Sequence, residues 1–144
     1  MRISTKGRYA LRMLIDLAEH ENEGFIPLKD ISERQNISKK YLEQIIPVLN
    51  REGILRRTRG PQGGYKLAVT PDRLTVGAIL RATEGSLSPV DCVDQDEAVC
   101  VRRIDCPTFP IWRGLAKVIN EYLDHITLQD ILDQQQEKSN DYVI

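Results

Sequence analysis

The sequence predicts a mainly α-helical protein carrying one small β-hairpin. Three observations carry that expectation. Four segments before residue 84 repeat their apolar residues at steps of three and four, the period of one helix face. Two short β-prone runs flank a Gly/Pro loop. A further apolar stripe, four turns long, follows an aperiodic segment that holds all three cysteines.

Taken in order, Tyr9, Ala10, Met13, Leu14, Leu17 and Ala18 form one stripe of a helix running from Thr5 to Glu21, with Ser4 or Thr5 as its cap. Pro27 opens a short second helix with Leu28 and Ile31, because proline suits a first helical turn. Gln35-Asn36 breaks it. Ser38 caps a third helix carrying Tyr41, Leu42, Ile45, Ile46 and Leu49, and Gly53 stops it. Pro47 lies inside that helix and removes the donor to the Glu43 carbonyl, so a kink is expected there. Ile54–Thr58 and Tyr65–Val69 pair across Arg59-Gly60-Pro61-Gln62-Gly63-Gly64 as a hairpin. Helix, short helix, turn, helix and hairpin make the winged helix-turn-helix order. Thr75 to Thr83 reads as a fourth helix, ended by Gly85.

Periodicity then vanishes from Ser86 to Pro110, a length for which a functional role or disorder is the ordinary reason. Ile111, Trp112, Leu115, Val118, Ile119, Tyr122, Leu123 and Ile126 resume it as a long helix. Thr127 to Asp130 caps a last short helix through Leu132, and the polar residues beyond read as a frayed tail. The expected organisation is a winged helix-turn-helix domain over 1–83 and a cysteine-containing sensor loop over 84–110. A dimerisation helix with a short terminal helix follows over 111–133, then a flexible tail over 134–144. The first 83 residues already supply a core, so the long stripe calls for another surface. A second copy of the chain is the economical one.

Charge sharpens the reading. Lys plus Arg is 20 and Asp plus Glu is 21, a net charge of −1 that as a whole argues against a polyanion partner. Residues 1–66, however, hold 13 basic against 8 acidic side chains, and residues 67–144 hold 7 against 13. A basic module joined to an acidic one points to nucleic acid at the first. Lys39 and Lys40 sit in the first turn of the third helix, where positive charge opposes the helix dipole at a cost of about 0.3–1 kcal/mol each. A phosphate at that helix end removes the conflict. Gln44 can read adenine bidentately, and Glu43 can accept from a cytosine amine or pair within the helix with Lys39 or Lys40. Arg56, Arg57 and Arg59 lead to the hairpin tip. There Gly60, Gly63 and Gly64 allow close backbone approach, and Arg59 can enter a narrow minor groove.

Other classes fall away. No apolar run approaches the 18 residues of a membrane span, and the first seven residues hold no secretory apolar region, so a cytoplasmic protein is expected. Three cysteines within 15 residues, in a reducing compartment, fit a metal or redox role better than a disulfide framework. Cys92, Cys100 and Cys106 are soft ligands suited to an iron–sulfur cluster, zinc or copper(I), one short of a closed set. An enzyme is not expected: neither His20 nor His125 pairs with a cysteine as a base, and the Gly60–Gly64 loop lies in a hairpin instead of between strand and helix. His125 reads as a packed or partly exposed interface residue, and His20 as an exposed residue without a special role.

The stretch Arg2-Ile3-Ser4-Thr5-Lys6-Gly7-Arg8-Tyr9, together with Tyr41-Leu42-Glu43-Gln44, Arg59-Gly60-Pro61-Gln62-Gly63-Gly64-Tyr65, Trp112-Arg113 and Ile126-Thr127-Leu128, resembles the IscR/CymR/NsrR family of bacterial winged-helix regulators. The resemblance runs over nearly the whole chain. It implies a homodimer on an imperfect DNA palindrome, acting as a repressor or activator of transcription. It places Ser38, Lys40, Tyr41, Glu43 and Gln44 in the major groove and the wing from Arg59 to Gly64 in the minor groove. For the cysteines it implies a 2Fe–2S cluster held by Cys92, Cys100 and Cys106. IscR-like members place a histidine three residues after the last cysteine, where this chain has Phe109. NsrR-like members use an N-terminal aspartate, where it has Arg8. The fourth ligand stays open among Asp105, Asp91, Asp94 and a small molecule. The cluster-free CymR-like branch implies instead a regulator of cysteine or sulfur metabolism, controlled by a partner protein or by thiol oxidation.

Overall fold

A computed structural model of the chain describes residues 2–94 and 105–141. Six helices and one hairpin follow the expected order: α1 (Thr5–Glu19), α2 (Leu28–Gln35), α3 (Lys39–Arg51), β1 (Leu55–Thr58), β2 (Gly64–Leu67), α4 (Val76–Glu84), α5 (Phe109–Asp124) and α6 (Leu128–Asp141). The winged helix-turn-helix class is therefore the observed one. No helix among the described residues is long and apolar enough to cross a membrane.

The apolar stripes do what their spacing predicts. Ala10, Met13, Leu14 and Leu17 of α1 meet Ile31 of α2, Leu42, Ile45 and Leu49 of α3, and Ile79 of α4 in one buried core. Each fully buried Leu or Ile there contributes on the order of 2 kcal/mol from its apolar surface. The hairpin pairs Leu55 with Leu67 and Thr58 with Gly64, antiparallel. Its second strand is held on the other side by Ile26, which exchanges backbone hydrogen bonds of 2.8 Å with Tyr65 in both directions. That extra bridge ties the wing to the residues just before α2.

α3 runs through Pro47 without ending. The donor that Pro47 lacks leaves the Glu43 carbonyl open on an exposed stretch of the helix, where water can serve it. Ser38 caps α3 as expected, its hydroxyl accepting from Tyr41 N at 3.1 Å.

The C-terminal end corrects the expectation. α6 does not stop near Leu132 but continues to Asp141, so residues 134–141 are helical. Thr127 and Asp130 cap each other's amides at 2.9 and 3.1 Å, and Gln129 donates to Asp133 at 2.9 Å. The Gln-, Glu- and Lys-rich residues beyond are good helix formers with no Gly or Pro among them. Leu128 is fully buried in the same core as α1–α3, and its amide donates to Leu74 O at 3.0 Å. The chain thus returns to the N-terminal domain after α5. That helix packs on α4 through Ile119 and Leu123, against Val76 and Leu80.

Candidate nucleic-acid interface

α3 and the wing enclose an open cleft of about 710 Å³. Lys39 and Glu43 line it from the helix, and Arg57, Arg59, Gly60 and Gly63 from the hairpin. Gly64 also borders it, yet its backbone is buried. A Cβ there would collide with Ile26 O, so this glycine serves the contact between β2 and Ile26. Gly60 has φ +102°, a conformation that suits glycine, and its carbonyl accepts from Gly63 N at 2.8 Å to close the wing tip. Arg59 and Gly60 are exposed.

Ser38, Lys40 and Gln44 are exposed too but stand outside the cleft. Glu43 forms no ion pair with Lys39 or Lys40 among the described residues, so its carboxylate is available to an outside partner. Tyr41 is half-buried and packs edge-on against Tyr9 of α1, ring centroids 5.2 Å apart. The structure therefore divides the sequence-predicted residues. Lys39 and Glu43 face the wing, Tyr41 faces α1, and the others point to solvent from the start of α3.

Beneath this surface lies a polar clamp that composition alone did not reveal. Asp16 on α1 is fully buried. Arg34 of α2 donates to its two oxygens at 2.7 and 3.0 Å, and Gln35 donates at 3.0 Å. The hydrogen bond to Asp16 holds the Arg34 guanidinium protonated above its ordinary range. Arg12 reaches Gln35 from α1 as well. The clamp closes the C-terminal end of α2, immediately before the turn in which Asn36 takes a left-handed conformation, φ 53°. His20 corrects a further expectation: it is half-buried, and both its backbone amide and its ring Nδ1 lie on Asp16 O, at 3.2 and 2.8 Å. The sequence signal was present. A lone acid at position 16 stands in the otherwise apolar run Met13-Leu14-Ile15-Asp16-Leu17-Ala18.

The cysteines sit at the other end. Cys92 lies in a 3-10 turn, Asp91–Val93, that packs on α5, and Cys106 lies just before the first turn of α5. Both are half-exposed, and Cys106 Sγ is 3.2 Å from Thr108 Oγ1. Cys100 lies outside the described residues. His125 is exposed at the C-terminal cap of α5, its Nδ1 on Glu121 O at 2.5 Å.

An exposed, basic helix-turn-helix surface beside a wing, carried on a buried clamp, defines a DNA-binding regulator of transcription. The chain belongs to the Rrf2 family, described as an iron-dependent transcriptional regulator, whose pattern it matches over residues 3–134. It is 40% identical over 136 residues to the HTH-type transcriptional regulator IscR of Erwinia tasmaniensis, covering 94% of this chain and 81% of that one. Among solved structures, the T. potens IscR is 41% identical with a TM-score of 0.75, covering 96% of this chain and 90% of that one. CymR, the global cysteine regulator of B. subtilis, is 38% identical with a TM-score of 0.76, covering 93% and 98%. The protein is accordingly a regulator and not an enzyme.

Proposed function

We propose that the chain is a cytoplasmic homodimeric regulator that reads an imperfect palindrome and whose DNA affinity is set by a 2Fe–2S cluster on Cys92, Cys100 and Cys106. The observation that carries the DNA part is the cleft between α3 and the wing, which gathers Lys39, Glu43, Arg57 and Arg59 on one exposed surface. The start of α3, with Ser38, Lys39, Lys40, Tyr41, Glu43 and Gln44, enters the major groove. The wing, with Arg59, Gly60 and Gly63, follows the minor groove, and Gly64 anchors it to Ile26. The likeness to IscR supports the cluster. The donor chemistry fits it: Cys92 sits in the turn that packs on α5, Cys106 sits just ahead of that helix, and thiolates are soft ligands for iron. When bound, such a cluster supplies one-electron redox chemistry and sensitivity to oxidants. The chain's own part is to present soft thiol ligands beside the base of α5, so that ligation and the placing of that helix are linked.

Two measurements test the reading. Binding to an operator fragment should weaken with salt at a log–log slope of about −0.9 per phosphate neutralised, and Arg59→Ala should lower affinity about tenfold. Salt-independent binding, or full affinity in the Arg59 variant, removes the wing from the interface. For the cofactor, anaerobic purification should give a coloured, iron- and sulfide-containing protein that Cys92→Ala bleaches. A colourless, iron-free wild-type protein leaves the CymR-like alternative, a cluster-free regulator of cysteine or sulfur metabolism controlled by a partner or by thiol oxidation. The likeness to CymR favours that alternative. If it holds without thiol control, replacing all three cysteines by serine leaves DNA binding unchanged.

A further inference from the structure

The first turn of α1 is capped from a distance. Ser4 is its N-terminal flanking residue, but the Ser4 side chain caps no amide of α1. Glu84, the last residue of α4, does so instead. Its Oε1 accepts from Ser4 N at 3.1 Å, Ser4 Oγ at 2.6 Å and Gly7 N at 3.1 Å. A carboxylate there satisfies amides that lack helical partners and sits favourably at the positive end of the helix dipole. Gly7 is buried beneath it: a Cβ at this position would collide with Glu84 Oε1 and stand 3.1 Å from Leu80 Cδ2. Two residues further along α1, Tyr9 holds Tyr41 in the first turn of α3. On the same helix as Glu84, Arg81 grips α5 with a bidentate pair to Asp124 at 2.8 and 2.9 Å and a hydrogen bond to Asn120 at 2.7 Å.

We propose that Glu84 is a positioning residue for DNA reading, which seats the first turn of α1 and thereby, through Tyr9 and Tyr41, fixes the pose of the base-reading end of α3. The inference rests on α3 being the recognition helix, as proposed above. Glu84 touches no DNA in this scheme. Non-specific attraction to phosphates depends on the exposed cations and is indifferent to it. Base reading depends on the angle and depth of α3 and is not.

The test uses the full-length protein and two duplexes: one selected by the wild-type protein from a random-sequence pool, and a scrambled version of it. Glu84→Ala should lower affinity for the selected duplex about fivefold, the fold-change that follows if the worth of a helix cap is lost from the reading pose, with affinity for the scrambled duplex unchanged. Glu84→Gln should keep most of the wild-type ratio, because its amide oxygen can still accept from the Ser4 and Gly7 amides and loses only the charge at the helix end. Gly7→Ala should reproduce the loss by displacing the carboxylate, and should add nothing in the Glu84→Ala background. A wild-type ratio in Glu84→Ala, an equal loss on both duplexes, or failure of the Gln variant overturns the proposal. Should Glu84→Ala not fold, the Gln and Gly7 variants decide in the same way. If the wild-type protein selects no duplex at all, the DNA-reading assignment of α3 falls, and this inference with it.

Discussion

Val118→Glu yields a folded protein with the mass of a single chain, and its affinity for a palindromic duplex is lower by about two orders of magnitude, the usual worth of joining two half-site contacts. The cause lies in α5. Ile111, Leu115, Val118 and Tyr122 are 59%, 42%, 62% and 67% exposed, and they recur at steps of four, three and four. That spacing is the one a two-helix coiled-coil seam uses, and the face is exposed in one chain. The opposite side of the helix is already used, through Ile119 and Leu123 against α4. A glutamate at the exposed position 118 therefore leaves the fold intact and places two like charges across the proposed dimer axis. Light scattering reads the mass, and anisotropy on full and half sites reads the affinity. A dimeric Val118→Glu protein, or a monomer that binds the full palindrome as tightly as wild type, refutes the assignment of this face to a second copy.

The apolar stripe of α5 was legible in the sequence because helical periodicity shows which residues share a face. Sequence alone could not divide that face between α4 and a second surface, since Ile119 and Leu123 differ from Val118 and Tyr122 only in what packs nearby. The core of α1–α4 and the presence of the hairpin were legible for the same reason, since apolar spacing, caps and turn residues all agreed, but the register was not: Thr58 pairs with Gly64, which the sequence placed in the loop, because Ile26 draws the Gly64–Tyr65 backbone into the sheet. The extent of α6 was not. Its last two turns are polar all round, so periodicity falls silent while propensity and capping still carry the helix to Asp141. In the candidate interface, residue type revealed Lys39, Glu43 and Arg59. It did not reveal that Gly64 is spent on the Ile26 contact, which needs the fold. Nothing local marks Glu84, because its three donors lie 77 and 80 positions away in the chain. Asp16 left a fainter signal, a charge inside the apolar run Met13–Ala18, but its partners Arg34 and Gln35 are set by the fold.

That clamp gives the largest expected effect on stability, and an asymmetry that exposure alone would predict the wrong way round. Arg34→Ala should destabilise the protein by about 3 kcal/mol, and Asp16→Ala by about 2 kcal/mol. The Arg34 side chain is 34% exposed, whereas that of Asp16 is 1% exposed. Removing Asp16 leaves a guanidinium that can turn to water, so the cost is the lost hydrogen bonds and the space left behind. Removing Arg34 strands a carboxylate in the core with Gln35 as its remaining side-chain hydrogen-bond donor and the His20 ring 3.8 Å away. Taking a charge out of water without its partner is the more expensive error. For a chain of 144 residues, 3 kcal/mol corresponds to a fall in Tm of roughly 10 °C, and 2 kcal/mol to roughly 6 °C. Calorimetry on both variants in the same buffer measures the order. If Asp16→Ala proves the more damaging, the packing of the Asp16 side chain outweighs its charge. If both stay within about 2 °C of wild type, the clamp contributes no more than a surface pair, whose worth is about 0–1 kcal/mol.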